Sequence, residues 1–318
     1  MNDFFYVIKN LLLLEGFVRV GWAEVCELPE KSQAYFDDWI ESAKHGTMAF
    51  LERPEYAHAY KNPTAKYPFA KSIIAAVFPY NIYGSPKKIF EINQKFKVSR
   101  YALNVDYHNL LKCKLQQIMN KLKLIYPDAM FEVQVDSGAL PEIYWAEQAG
   151  VGLRRKNGLL YVPEYGSWIF IALIITSIKI EAQKPTIFHD DFCMHCNKCI
   201  EACPTSAISA DYMVDPSKCI SYLTIEHKGE LSITTDLQDW IYGCDICQQV
   251  CPKNSKVFVT EDKNFTPAQF WQEISAEKLH NMSNSAFLRI FQESPIKRTG
   301  LKRLLRNINA NVKNINHD

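Results

Sequence analysis

Eight of the chain's ten cysteines fall between residues 193 and 251: Cys193, Cys196, Cys199, Cys203, Cys219, Cys244, Cys247 and Cys251. The first four are spaced C-x2-C-x2-C-x3-C and followed by Pro204; the last three are spaced C-x2-C-x3-C and followed by Pro252. Thiolates at such short intervals make the chain curl round one iron–sulfur cube, and the last of the run reaches a second cube. This spacing assigns Cys193, Cys196 and Cys199 to one 4Fe–4S cluster, completed from the far run by Cys251. Cys203, Cys244 and Cys247 go to the other, and Cys219, the remaining cysteine of the stretch, completes that set. Two zinc sites of four thiolates are the alternative, but zinc ribbons pair C-x2-C units and lack the triple run closed by C-P. Two such clusters form a wire for single electrons. Cys26 and Cys113, outside the stretch, read as buried apolar residues.

The remaining composition narrows the class. Lys and Arg number 36 against 35 Asp and Glu, so total charge names no partner and any nucleic-acid footprint must be local. Hydrophobic residues make up 47% and charged residues 22%, which excludes a disordered or fibrous chain. The opening MNDFFYVIKNLLLLEGF places Asp3, Lys9 and Glu15 around its leucine run and lacks a secretory layout. The longest apolar run, Trp168–Ile178, is too short to cross a bilayer. A cytoplasmic protein is expected, without membrane association, working as a monomer with its thiols on metal and not in disulfides.

The elements that must position these groups are legible as patterns. Phe4, Ile8, Leu11, Leu12 and Phe17 predict a helix over residues 1–20, and SIIAAVFP predicts a strand at Ser72–Pro79. Residues 106–125 form an amphipathic helix capped by Asp106, with Leu110, Leu111, Leu115, Ile118, Met119 and Leu122 as its apolar stripe. A strand at Met130–Val135, a helix around Leu140–Gln148 and a buried central strand in Trp168–Ile178 follow. The predicted class is α+β: an N-terminal α/β sheet domain over residues 1–185 and a bacterial-type two-cluster ferredoxin-like domain over 186–258. A short helical, basic segment over 259–318 closes the chain.

A two-cluster module is far shorter than this chain, so the preceding residues must do something else. The telling segments are KVSRYA from Lys97, DYH from Asp106, VDS from Val135, WAEQAGVG from Trp145, KNGLL from Lys156 and PEYGSW from Pro163. They continue with CISYLTIE from Cys219, GCDICQQVCP from Gly243 and PIKRTGLKRLLRN from Pro295. Together these make the chain resemble the epoxyqueuosine reductases, cobalamin-dependent enzymes that finish queuosine in tRNA, over almost its whole length.

The resemblance implies base-off cobalamin held between the N-terminal and two-cluster domains. It implies as substrate a tRNA whose anticodon stem-loop carries epoxyqueuosine at the wobble position. Two electrons and two protons would remove the epoxide oxygen as water, with a low-potential donor feeding the clusters and the cofactor carrying the hard chemistry. Asp136 matches the family's proton donor. An ordinary aspartate titrates near about 3.9, so donation at neutral pH calls for a desolvated site that raises it. Without the resemblance, an Asp-Ser pair after a strand reads as a helix N-cap.

Ser99, Leu160, Ile171, Ser221 and Asp245, with Asp136, match the family's cobalamin-contacting positions. Tyr60 and Ile143 depart from its pattern, standing where arginines are common. His108 reads as a capping and packing residue, with contact to cofactor or substrate as the alternative, and His195 as a residue that faces solvent or tunes a cluster. Lys297, Arg298, Lys302, Arg303 and Arg306 crowd one helix, where Arg298, Lys302 and Arg306 share a face able to follow RNA phosphates. Lys228 is a second candidate. An iron–sulfur electron carrier, or another cobalamin-dependent reductase acting on a small molecule, is the alternative function.

Overall fold

The computed structural model describes residues 3–92, 95–182, 190–232 and 234–313. In chain order the strands are β1 (Arg19–Glu24), β2 (Ser72–Pro79), β3 (Phe90–Ile92), β4 (Phe96–Val98), β5 (Phe131–Gln134), β6 (Leu153–Arg154), β7 (Leu160–Tyr161), β8 (Ile169–Thr176) and β9 (Trp240–Tyr242). Six helices position the site: α1 (Asp3–Leu14), α2 (Pro54–Lys61), α3 (Tyr107–Ile125), α4 (Glu142–Gln148), α5 (Ile220–Ile225) and α6 (Gly300–Lys313).

The main sheet runs β1-β2-β8-β5, and each of its ladders is antiparallel. Successive side chains of a strand point to opposite faces, so a strand covered on both faces must be apolar throughout. Ile74, Ala76 and Phe78 of β2, with Phe170, Ala172 and Ile174 of β8, join the core built with α1 and α3. Ile73, Ala75 and Val77, with Leu173 and Ile175, join the core built on Trp145 and Ala146 of α4. That two-sided cover is why SIIAAVFP and IFIALIIT read as unbroken apolar runs.

The predicted first helix stops at Leu14, and Gly16 at φ +94° turns the chain into β1. The apolar spacing had carried on because Phe17, in the turn before β1, is buried in the same core as Ile8 and Leu12. Helix α3 forms as its pattern predicts, with the Asp106 carboxylate accepting the His108 amide and Leu111, Leu115, Ile118, Met119 and Leu122 buried. Cys113 points away from that stripe and is exposed, as is Cys26, so neither is the buried apolar residue expected.

A second sheet ties the halves of the chain together. Strand β4 pairs antiparallel with β3 and parallel with β9, which lies beyond the first cysteine run. The core beneath it joins Ile92, Phe96 and Val98 to Ile241 and Tyr242, and both to Phe287, Ile296, Leu304 and Ile308 of the C-terminal segment. The boundary expected at residues 185 and 186 lies outside the described residues. No helix among those described is long and apolar enough to cross a membrane.

Candidate functional site

Asp136 follows β5 and takes φ +57°, a left-handed backbone that few residues adopt without support. Its neighbours supply the support. Glu142 of α4 accepts the Asp136 amide at 2.6 Å, and the Gln134 side chain bonds both the amide and the carbonyl of Leu140, at 3.1 and 2.8 Å. The Tyr56 hydroxyl of α2 donates to the Gly138 carbonyl at 2.9 Å. So braced, the carboxylate does not cap a helix; α4 has Pro141 at its N-cap. It turns instead to the start of α3, where Asp136 Oδ2 accepts from the Tyr107 hydroxyl at 2.8 Å and lies 2.9 Å from His108 Nε2.

The electrostatics reverse the expectation for this carboxyl. Burial pushes it up, but the hydrogen bond and charge of His108, then the Tyr107 hydroxyl, outweigh burial and hold it below its ordinary range. Although surrounded by other groups, the Asp136 side chain remains 58% exposed, open to whatever enters the site. Glu142 goes the other way, pushed up to about 8 by burial first and then by the Asp136 charge. Burial pulls the His108 imidazole down, yet its bonds to Asp106 and Asp136 carry it up to about 9. His108 is therefore part of the site as well as of the cap. Tyr107 and Glu142 join the site without having been singled out by spacing; the DYH turn was the visible signal for Tyr107, and Glu142 had none.

Four of the cysteines meet at one cavity. Cys193, Cys196, Cys199 and Cys251 line one cavity together with Asn157 and Lys253. Burial pushes the Cys199 thiol up to about 11, and the nearby Cys193 and Cys251 add to the rise. In the other set, Cys219 is raised by burial and then by Cys203, and Cys244 by burial and then by Cys247 and Cys219. Cys247 is raised by burial, then by Cys219 and by Cys199, which puts the two sets side by side. Crowded, buried thiols of this kind are poor anions alone and give up their protons to a metal centre. Four around a shared cavity fit the four irons of a cube.

Lys156, only 4% exposed, was not foreseen in this role. Its Nζ donates to the carbonyls of Met194 and Cys196 at 3.0 and 3.2 Å and to Asn197 Oδ1 at 3.0 Å, and its amide donates to Cys193 Sγ at 3.5 Å. It pins the first cysteine loop and sets a positive charge beside that set. His195 is exposed, as expected.

The positions matched to cobalamin contacts separate into two groups. Ile171 and Ser221 are partly exposed and Asp136 is exposed, so their side chains can meet a bound group. Ser99, Leu160 and Asp245 are buried at 3%, 2% and 1%. The Ser99 hydroxyl donates to Asp245 Oδ1 at 2.5 Å and the Arg100 amide to Oδ2 at 2.9 Å, so this pair holds β4 against the second cysteine run. Gly243, at φ +70°, permits that approach; a Cβ there would lie 2.5 Å from Ser99 Cβ. Tyr60 stacks on Phe36 at 4.1 Å, and Ile143 packs into the core on the α4 face, so both departures act as packing residues.

The basic C-terminal helix is used differently from its predicted phosphate-tracking face. Arg306 donates to the carbonyls of Leu223 and His227 at 2.6 and 2.9 Å, and Arg303 to those of Ile225 and Thr299 at 2.8 Å each. Both thereby satisfy carbonyls at the end of α5 that the helix leaves unpaired. Arg298 is paired with Glu226. Lys302 and Lys228 instead line a cavity of about 510 Å³ between α6 and the loop after α5.

Two family models match the chain. One, "Epoxyqueuosine reductase QueG, DUF1730", covers residues 61–137, and the other, "4Fe-4S double cluster binding domain", covers residues 192–254. The epoxyqueuosine reductase of Synechocystis sp. is 35% identical over 301 residues, 93% of this chain and 99% of that protein. That of Cyclobacterium marinum is 33% identical, over 97% of this chain and 96% of the other. A crystal structure of epoxyqueuosine reductase with an epoxyqueuosine-modified tRNA-Tyr stem loop superposes with a TM-score of 0.81 at 28% identity, covering 96% of this chain and 80% of that one. The Bacillus subtilis epoxyqueuosine reductase, solved with its catalytic aspartate loop swung out of the active site, gives 0.80 at 27% identity over the same shares. With relatives this similar along nearly its full length, the chain belongs to the epoxyqueuosine reductase family.

Proposed function

We propose that this chain reduces epoxyqueuosine to queuosine in tRNA, with residues 1–185 holding cobalamin and substrate, 186–258 relaying electrons and 259–318 bracing the junction. One observation carries the reading: the near full-length match to epoxyqueuosine reductases, in a chain that pairs an open Asp136 with a cavity lined by four cysteines.

The residues divide the labour. Cys193, Cys196, Cys199 and Cys251 hold one cluster and Cys203, Cys219, Cys244 and Cys247 the other. Asp136, Ile171 and Ser221 present surface to cobalamin, while Ser99, Leu160 and Asp245 stand behind them. Cobalamin, when bound, supplies two-electron chemistry at the epoxide carbon. Asp136 delivers a proton to the departing oxygen, its backbone locked by Glu142 and Gln134. A low-potential donor recharges the clusters, and the protein works as a cytoplasmic monomer. The anticodon loop nucleotide enters splayed from its stack, and Lys228 and Lys302 meet phosphates beside it.

An epoxyqueuosine-bearing anticodon stem-loop tests this reading. Binding should weaken steeply with salt, and Lys228→Ala with Lys302→Ala should flatten the log–log salt slope by about 2 without altering iron content. Turnover of a free small-molecule epoxide, with no binding of the stem-loop, would overturn the assignment.

A further inference from the structure

Both ring nitrogens of His108 face carboxylates: Nδ1 lies 2.7 Å from Asp106 Oδ1 and Nε2 2.9 Å from Asp136 Oδ2. An ionised carboxylate only accepts hydrogen bonds, so both nitrogens must donate, which a neutral imidazole with one N–H cannot do. The ring rests as an imidazolium. Its orientation is fixed from two further sides, by Tyr107 stacked at 4.1 Å and by Asp106, whose Oδ1 also accepts the His108 amide at 3.0 Å. The side chain is still 20% exposed, so water can reach it.

We propose that His108 is the proton reservoir of this site: its Nε2 proton passes to Asp136 Oδ2, and Asp136 hands it to the epoxide oxygen as the C–O bond breaks. The inference rests on the reading of Asp136 as the group that meets the departing oxygen. The step balances. As the first C–O bond breaks, oxygen keeps the bonding pair and takes the proton, leaving a hydroxyl, Asp136 again ionised and His108 neutral. The two electrons arriving through the clusters replace the lost density at carbon. His108 regains a proton from water and passes it by the same route. The second C–O bond then breaks, the carbon–carbon double bond forms and oxygen leaves as water. Two protons and two electrons are consumed.

The charges around the pair keep the proton on His108 at rest. Asp106 on α3 and Asp136 on its loop both favour the imidazolium. Glu142 of α4, raised to about 8, is largely neutral at neutral pH and adds little. Tyr107, hydrogen-bonded to Asp136, has its hydroxyl driven far up by burial and then by that carboxylate, so it keeps its proton. Tyr56 of α2 is pushed up to about 12, by burial first. Arg298 adds positive charge that holds Asp106 and Asp136 ionised, and Lys112 of α3 donates to Ser137 Oγ at 2.9 Å.

The test is histidine-labelled NMR of the cluster-loaded protein, together with a pH profile of turnover. His108 should titrate near 9 and fall toward the ordinary histidine range in Asp136→Asn. Wild-type turnover should decline as pH rises through about 9, whereas His108→Gln should be slowed about 10²–10³-fold and lose that alkaline limb while keeping both clusters. A His108 titrating at or below the ordinary value of about 6.5 would overturn the reservoir, as would full turnover in His108→Gln beside an inactive Asp136→Asn. Full turnover in Asp136→Asn would sink the underlying reading instead.

Discussion

Asp136→Asn is expected to slow queuosine formation by about 10²–10⁴-fold, the usual worth of a positioned proton donor, with iron content unchanged. Asparagine is the informative replacement because it tolerates the left-handed backbone held at φ +57° and can still accept from the Tyr107 hydroxyl. What it cannot do is take a proton from His108 and pass it on. Rapid-quench single turnovers, read as nucleosides by mass spectrometry, separate this from slow release of product. A wild-type rate would remove Asp136 from the mechanism.

The same pair sets a pH window for the loop. His108 titrates above its ordinary value, so its stabilising contribution is complete below about 6.5 and lost as pH rises through about 9. Asp136 titrates below its ordinary value, so its contribution is present above the usual carboxylate range and lost as pH falls through its lowered value. Between those limits the ion pair braces the Asp136 loop.

Cys219→Ala should lower iron from about eight to about four per chain, since each cube holds four irons, and abolish turnover. Cys219 sits apart from both C-P runs, at the N-cap of α5, and reaches its set only because the fold brings that helix start beside Cys203 and Cys244. In the proposed division, losing one thiolate of four would expose one iron of the second cube, while Cys193, Cys196, Cys199 and Cys251 would stay intact round the first. Iron analysis and the spectrum of the reduced protein would read the loss. A Cys219→Ala variant that keeps two complete clusters would overturn the division of ligands.

Particular residues show where the sequence was legible and where it was not. The strand at Ser72–Pro79 and the helix from Tyr107 to Ile125 were readable because each carries its own period and its own ends. The cysteine runs stood out because three thiols on one cube demand short intervals. Pairing direction was not written locally: an apolar run buried on both faces looks the same in a parallel or an antiparallel sheet. The ladder between β4 and β9 joins residues some 140 positions apart, beyond any local pattern. Arg306 looked like an RNA ligand because sequence gives charge without partners, and it donates to carbonyls about 80 residues upstream. The Asp136 carboxyl was misjudged for the same reason. Its titration is set by His108 and Tyr107, which reach it only through the fold.

In the proposed reaction, electrons pass from the two clusters to cobalamin and reduce a tRNA-borne epoxide. Its most direct test is an anaerobic assay in which cluster-loaded protein and a low-potential reductant meet epoxyqueuosine-bearing tRNA, with and without cobalamin. Digested nucleosides are read by mass spectrometry. Queuosine should form only in the arm containing cobalamin. Unchanged epoxyqueuosine in both arms, from protein holding about eight irons and bound cobalamin, would contradict it.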